Sequence, residues 1–342
     1  MRKTLFLFTV LGLGLGSAQS GTPAKVAFVY WSTTLNAFQE MAMGVKQAAL
    51  ETPSAQLTLA APNAMDPAKV VTMFQSAAQT SKQGILLQTL NVDLFTRPVK
   101  TATAQGVPVV SIDSPPPTGS GVDLFVGNDN QELGRVLARE IIKDVPKDVK
   151  GEIVIGNYVP GAPPLEQRVQ GMIEVIKKER PGVSIVGPLS TAGQNGSTTD
   201  NYNAWNAAVR AHPNALAYLA PGNPDAANLA LIQRQLKRKL LVGGFDLDPE
   251  AMKAVKDGYV RAIVSPEHWL KGYIGMKLLL AQTQGGAKLP KGWWNSGGLL
   301  VTKANVDVII ARQQTEASHA AALVPVAKLQ LAGPTKYLTP NK

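Results

Sequence analysis

Short apolar runs alternate with amphipathic segments along most of the chain. The runs VAFVY (26–30), GILLQ (84–88) and VPVVSID (107–113) have the length of buried strands, whereas the segment 38–51 carries its apolar residues at helical spacing. Strands that alternate with helices in this way are typical of βαβ units, in which helices cover both faces of a parallel sheet. The pattern therefore predicts an α/β fold.

The same alternation starts again after the segment VGNDNQELGR (126–135). A helix is predicted at 131–142, and the strands EIVIG (152–156), LLVGGFD (240–246) and VRAIVS (260–265) follow with helical patterns between them. A chain of 342 residues is too long for one hydrophobic core, because cores stop growing at roughly 250–300 residues. We therefore expect two α/β lobes in series.

Polar residues follow the predicted strands at regular places. Ser32 and Asn36 follow the first strand, Asp113 ends the fourth, Asn128 lies at the crossing between the lobes, and Asp246 ends LLVGGFD. Each of them is compatible with a turn or a helix cap, which are common roles of Asn and Asp. Ligands of open α/β sheets bind beyond the carboxyl ends of the strands, so together these residues predict a cleft for an uncharged ligand rich in hydroxyl groups.

The first residues predict export. MRKTLFLFTVLGLGLGSAQS has a basic start, an apolar run and small residues before a cleavage point, so residues 1–18 are expected to be a signal peptide. The chain has no cysteine, which excludes a lipid-modified cysteine and disulfides. We expect a periplasmic or extracytoplasmic protein without a lipid anchor.

The net charge of +10 does not by itself indicate a nucleic-acid partner, because no helix-turn-helix, RNP or zinc spacing accompanies it. No metal-ligand spacing is present either, since the three histidines lie far apart in the sequence. No metal, cofactor or nucleic acid is therefore expected.

The motifs of common enzyme classes are missing from the sequence. GxSxG, GxxxxGK[ST] and HExxH do not occur, and YWSTTLNAF (30–38) after the first strand does not resemble GxGxxG. No catalytic residue is assigned, and the expectation is a protein that is not an enzyme. An exported α/β enzyme such as a glycosidase stays open, because the sequence does not show how far apart two carboxylates lie.

Six segments, in order, carry a family resemblance over nearly the whole exported chain: STTLNAF, VVSID, VGNDNQELGR, QRVQGMIEVIKK, VGGFDLDPEAMKAVKDGYVRAIV and KGYIGMKLLL. The chain resembles the periplasmic sugar-binding proteins of ABC importers, of the ribose- and galactose-binding type. The resemblance implies the type I periplasmic binding protein fold, with two Rossmann-like lobes whose parallel sheets are joined by three hinge strands.

The resemblance also implies a division of the chain. The N-terminal lobe is expected at 25–127 plus about 267–296, and the C-terminal lobe at 128–266 plus about 297–316. Residues 317–342 contain lysines, several prolines and no acidic residue, and we expect them to form a loosely ordered tail.

Ligand-binding residues are carried over one at a time onto matching positions. Departures from the family pattern are Ser114, which stands where the ribose-binding protein has an arginine, and the segment SPEHW at the third hinge, where the family often has glutamine. Stacking of Trp31 or Trp269 on the ligand stays open, while Trp293 and Trp294 are expected to pack within a lobe. The predicted ligand-binding residues are Ser32, Asn36, Phe38, Asp113, Asn128, Arg168, Asn223, Asp246 and Glu267.

The resemblance implies a solute-binding protein that captures a monosaccharide or sugar alcohol and delivers it to the membrane subunits of an ABC permease. A receptor for a furanosyl signal molecule or a nucleoside is the alternative. The protein is expected to be a monomer, and a chemoreceptor is left open as a further partner.

Overall fold

The computed structural model describes residues 23–192 and 197–340, so the predicted signal peptide at 1–18 lies outside the described residues. The strands are β1 (Ala24–Val29), β2 (Ala55–Ala60), β3 (Gly84–Gln88), β4 (Val109–Ile112), β5 (Leu124–Gly127), β6 (Gly151–Asn157), β7 (Val183–Ser190), β8 (Ala217–Leu219), β9 (Val242–Phe245), β10 (Ala262–Ser265), β11 (Gly292–Asn295), β12 (Leu299–Thr302) and β13 (Leu338–Pro340). The α-helices are α1 (Asn36–Leu50), α2 (Pro67–Thr80), α3 (Thr96–Ala104), α4 (Asn130–Ile141), α5 (Pro163–Glu179), α6 (Thr198–Ala211), α7 (Asp225–Leu236), α8 (Pro249–Lys256), α9 (His268–Gly285), α10 (Val306–Arg312) and α11 (Glu316–Ala332).

The strands form two sheets, one in each lobe. The first has the order β13-β11-β5-β4-β3-β1-β2 and the second the order β12-β10-β9-β8-β6-β7. All pairs are parallel except β11 with β13 and β10 with β12. The predicted α/β fold class is confirmed. The chain passes between the lobes four times, at 127–130, at 265–268, at 295–299 and at 312–316.

The C-terminal segment corrects the expectation of a loosely ordered tail. After α10 the chain returns to the first lobe, where α11 packs against α9 and α1. Thr315 caps α11 in a capping box with Ser318, and Leu323 and Ala327 join the hydrophobic core. β13 then pairs with β11 at the edge of the sheet. The proline and lysine content of the segment suggested a lack of structure. The segment nevertheless folds as a helix, because it buries apolar residues and has a well-formed N-terminal cap.

Two helix pairs hold the residues of the site in place by very close packing. In the first lobe a Cβ atom at Gly44 of α1 would meet the backbone of Trp269 in α9. In the second lobe a Cβ atom at Gly134 of α4 would meet the backbone of Arg168 in α5. Glycine lets each pair of backbones approach this closely. The starts of α5 and α9 are thereby fixed beside the cleft.

The turn between β5 and α4 acts as a hinge and a cap. Asp129 is the N-cap of α4, and its Oδ1 accepts a hydrogen bond of 2.8 Å from the backbone N–H of Glu132. This satisfies one of the backbone donors that are left free at the start of a helix.

Among the described residues, no helix is long and apolar enough to cross a membrane.

Candidate functional site

Two aspartates occupy equivalent positions in the two lobes. Asp113 follows β4 and Asp246 follows β9, and each has a positive φ of 70°. The backbone N–H of Asp113 donates to Val126 O, and that of Asp246 donates to Val264 O, both at 2.9 Å. Positive φ is uncommon outside glycine, and Asp tolerates it better than most residues. Each lobe therefore turns one carboxylate out of its sheet at the cleft.

A small cavity of about 30 Å³ lies between the lobes, and we call it the cleft cavity. Phe38, Asp113, Arg168, Asn223 and Asp246, all predicted as ligand-binding residues, line it together. The other lining residues are Leu35, Ala37, Leu90, Tyr158, Val159, Leu165, Gly222 and His268. The cavity thus combines charged side chains with two aromatic rings.

Each aspartate has a buried cation as its partner. Lys271 Nζ lies 2.5 Å from Asp113 Oδ1, and Arg168 Nη1 lies 3.8 Å from Asp246 Oδ1. Burial alone raises the pKa of Asp113, but Lys271 and then His268 and Arg168 outweigh burial and lower that pKa to about 2. For Asp246 burial is again the largest influence, and Arg168 and His268 outweigh it and lower the pKa.

Arg168 is held by uncharged partners as well. Its Nε donates to Asn130 Oδ1 at 3.0 Å and its Nη1 donates to Pro221 O at 2.8 Å, while the guanidinium lies 4.5 Å above the ring of Phe245. Arg168 and Asp246 are therefore both fixed before any ligand contact. Burial lowers the pKa of Lys271, and the Asp113 carboxylate 2.5 Å away opposes that shift and favours the charged amine. With this ion pair, the cluster carries two negative and two positive charges, which balance.

His268 supplies a hydrogen-bond acceptor that is left free. Burial first, and then the charge of Lys271, lower its pKa, which favours the neutral ring. Its Nε2 lies 2.9 Å from Asp246 Oδ1, so the proton is assigned to Nε2, because an ionised carboxylate only accepts. Nδ1 is buried and has no hydrogen-bond partner among the residues that the structure describes. A ligand hydroxyl in the cleft cavity would satisfy it.

Glu267, a predicted ligand-binding residue, is paired with an arginine beside the third hinge. Its carboxylate forms a two-pronged ion pair with Arg312 of α10, with distances of 3.0 and 3.1 Å, and it does not line the cleft cavity. The backbone of Glu267 has a φ of 51°, so the chain turns sharply just before α9. This turn brings the next residue, His268, to the cavity instead.

Three further predicted residues have roles outside the cleft cavity. Ser32 Oγ accepts from the backbone N–H of Thr34 at 3.1 Å and also contacts its hydroxyl. Asn36 Nδ2 donates to Leu247 O in the other lobe at 3.0 Å. Asn128 Nδ2 donates to Pro266 O at 2.9 Å, which ties the first crossing to the second.

Neither tryptophan that was considered for stacking on the ligand, Trp31 or Trp269, lies at the cleft cavity. Trp269 stacks on Tyr273 with ring centroids 4.9 Å apart. Phe38 and Tyr158 provide the aromatic rings there. Tyr158 and His268 were missed because no motif marks them, although the sequence SPEHW did flag the third hinge.

The two lobes touch each other directly across the cleft. The backbone N–H of Ala37 at the start of α1 donates to Asn223 Oδ1 of the second lobe at 3.1 Å. The bond from Asn36 to Leu247 lies beside it. Pockets for small molecules usually have about 300–1,000 Å³, which is roughly ten to thirty times the volume of the cleft cavity. The structure is therefore a closed form, and a ligand of sugar size enters only when the lobes separate.

Comparisons with known proteins identify the family. Residues 26–287 match the family model described as periplasmic binding protein domain. The D-allose-binding periplasmic protein of Escherichia coli is 25% identical over 302 residues, which cover 85% of this chain and 94% of that protein. The ribose import binding protein of Salmonella typhimurium is 24% identical over 201 residues, covering 58% of this chain and 65% of the relative.

A solved structure shows the same architecture. An ABC transporter solute-binding protein from Agrobacterium vitis with bound D-fucose superposes with a TM-score of 0.76 at 25% identity, covering 82% of this chain and 96% of that chain. The family match spans well over half of the present chain. The chain belongs to the periplasmic binding protein domain family.

Proposed function

We propose that this protein is an extracytoplasmic solute-binding protein that captures a monosaccharide or sugar alcohol between its lobes and delivers it to an ABC permease. Relatives that are described as binding D-allose, ribose and D-fucose support a sugar ligand. Membership of a family of binding proteins supports delivery without chemical change. The basic start and apolar run of the segment 1–18 support export.

The charge balance of the cleft carries the proposal of an uncharged ligand. Asp113 and Asp246 are already neutralised by Lys271 and Arg168, and all four side chains are buried. A charged ligand would add an uncompensated charge to a buried site whose own charges already balance, and burying an unpaired charge is costly. Hydroxyl groups add no charge, and they still form hydrogen bonds with the charged side chains of the cluster.

The side chains that line the cavity suit the two faces of a sugar. Carboxylate oxygens of Asp246 and Asp113 accept from hydroxyls, His268 Nδ1 accepts from another, and Arg168 donates. Hydrogen bonds to charged groups contribute about 1.5–3 kcal/mol each. The rings of Phe38 and Tyr158 provide apolar surface for the C–H face of a pyranose or furanose.

Closure couples binding to recognition by the transporter. The bonds between Ala37 and Asn223 and between Asn36 and Leu247 form only when the lobes meet. A ligand that binds both lobes shifts the population toward this closed form. The permease then distinguishes loaded from empty protein by shape.

A thermal-shift screen tests the proposal. Pentoses, hexoses, polyols and nucleosides are compared with matched uronates and sugar phosphates. A ligand at 100 times its Kd stabilises the folded state by about 2.7 kcal/mol, so at least one neutral sugar or polyol should raise the Tm clearly. Shifts with charged sugars alone, or with none of the compounds, would contradict the proposal. Turnover of a nitrophenyl glycoside would favour the glycosidase alternative.

A further inference from the structure

A second and larger cavity of about 250 Å³ lies on the hinge side of the cleft, and we call it the hinge chamber. It has walls from both lobes. Its lining residues are Asp113, Pro115, Phe125, Asn128, Asp129, Asn130, Gln131, Pro164, Gln167 and Trp293. The proposed monosaccharide site does not use it.

The hinge chamber adjoins the cleft cavity. Asp113 lines both. At the start of α5, Pro164 and Gln167 line the hinge chamber, whereas their neighbours Leu165 and Arg168 line the cleft cavity. The two cavities are therefore separated by little more than the Asp113 side chain and the start of α5.

The hinge chamber has an aromatic wall. Trp293 of β11 and Phe125 of β5 are directly paired in the parallel register, so their side chains share one face of the sheet. Trp294 points to the other face, where it is buried and its Nε1 donates to Gln330 Oε1 at 3.1 Å. Trp293 Nε1 is buried without a partner in the described part of the chain. The indole N–H of Trp294 is therefore hydrogen-bonded, whereas the indole N–H of Trp293 is a donor without an acceptor in the described part of the chain.

Asn128 adds an unused acceptor. Its Nδ2 lies within hydrogen-bonding distance of Pro266 O, Ser296 Oγ and Gly297 O, and its two hydrogens are shared among these acceptors, which fix the orientation of the amide. Its Oδ1 is buried and, within residues 23–192 and 197–340, has no hydrogen-bond partner. Buried polar atoms are nearly always paired, and unpaired ones demand an explanation. A donor and an acceptor beside an aromatic wall match a ring that carries hydroxyl groups.

We propose that the hinge chamber binds a second, uncharged, hydroxylated ring that is covalently linked to the sugar in the cleft cavity. The ligand class then includes a disaccharide or a comparable glycoside, whose first ring occupies the proposed monosaccharide site. This inference rests on the proposed function. The Asp129 carboxylate, which lines the hinge chamber, disfavours an anionic group there.

Isothermal titration calorimetry with the full exported chain tests this inference. Glucose, galactose and fructose are compared with lactose, melibiose, cellobiose and sucrose. At least one disaccharide should bind about tenfold more tightly than its component monosaccharides, because it gains a stacked ring and two hydrogen bonds. Monosaccharide binding with every disaccharide excluded would overturn the inference and leave the proposed function standing. Binding of no sugar at all would overturn both.

Two variants locate the second ring. Gln167→Trp fills the hinge chamber from α5, and Gln170→Trp places the same side chain on the same helix at an exposed position that does not line the chamber. Gln167→Trp should weaken disaccharide binding about tenfold or more and leave monosaccharide binding unchanged, and Gln170→Trp should change neither. Trp293→Leu should also weaken only the disaccharide. Equal losses for both sizes of sugar in Gln167→Trp would refute the assignment.

Discussion

Lys271 Nζ at the start of α9 lies 2.5 Å from Oδ1 of Asp113, which follows β4, and both side chains are almost completely buried. The pair keeps the Asp113 carboxylate ionised in a place where burial alone would favour its protonated form. Arg168 does the same for Asp246 in the other lobe. Each lobe thus brings to the cleft an ionised carboxylate that is held in place and whose charge is balanced by a cation of the same lobe.

Lys271→Met should destabilise the ligand-free protein strongly, because it leaves a buried carboxylate without its cation. Breaking a buried ion pair from one side costs about 3–5 kcal/mol. Asp113→Asn should cost a similar amount, and the double variant should cost clearly less than the sum of the two. Urea unfolding of the four proteins measures this coupling. Strictly additive losses would mean that the two side chains do not act as a pair.

Asp246→Asn should abolish most sugar binding while the ligand-free protein stays folded. The amide oxygen can still accept from His268, and Arg168 keeps its bonds to Asn130 and Pro221. The lost charge-assisted bonds correspond to a decrease in affinity of at least about tenfold. Calorimetry measures it, with the exposed Asp307→Asn as the control. Unchanged affinity would remove Asp246 from the binding site.

Glu40 should make the stability depend on pH. It is buried, and Asn36 Nδ2 and Gln313 Nε2 both donate to its Oε1 at 2.9 Å. Burial first, and then the charge of Glu267, raise the pKa of Glu40 from 4.5 to about 8. Between these two values the folded protein holds a proton that the unfolded chain has released. Stability should therefore fall as the pH rises from about 5 to 8, by up to about 1.4 kcal/mol per pH unit.

Glu40→Gln separates this effect from other titrations. The amide keeps an acceptor for Asn36 and Gln313 but does not titrate. The free energy of unfolding of the variant should depend less on pH than that of the parent over the same range, as urea titrations at pH 5, 6, 7 and 8 would show. Parallel curves for the two proteins would show that Glu40 is ionised normally in the folded state.

Glu267→Gln should reduce stability without affecting the ligand. The substitution weakens the ion pair with Arg312, which joins the third hinge region to α10. Because Glu267 does not line the cleft cavity, affinity for the best sugar of the screen should change by less than about twofold. A loss of affinity larger than the loss seen for Asp246→Asn would restore Glu267 as a direct ligand residue.

The fold and the part of the site that follows from topology were predictable from the sequence. The carboxyl ends of parallel strands meet at one edge, so Asp113 and Asp246, each after a buried strand, were bound to face the same cleft. Family motifs placed Phe38, Arg168 and Asn223 at the same cavity.

The rest depends on geometry that a sequence pattern does not contain. His268 reaches the cavity in place of Glu267 because of one positive φ angle. Lys271 is buried because α9 lies so close to α1, and its role appears only when the helix is seen beside Asp113. The C-terminal helix was missed because Pro325 and the lysines of that segment suggested an absence of structure, although Pro325 lies inside α11.

Small-angle X-ray scattering with and without the best neutral sugar of the screen tests the central claim most directly. The claim is that two lobes close over an uncharged, hydroxylated ligand held by Asp113 and Asp246. The radius of gyration should decrease when the sugar saturates the parent protein, and the same concentration of sugar should change it less in Asp246→Asn. An identical radius of gyration for the parent protein with and without the sugar, at saturating concentration, would contradict the claim.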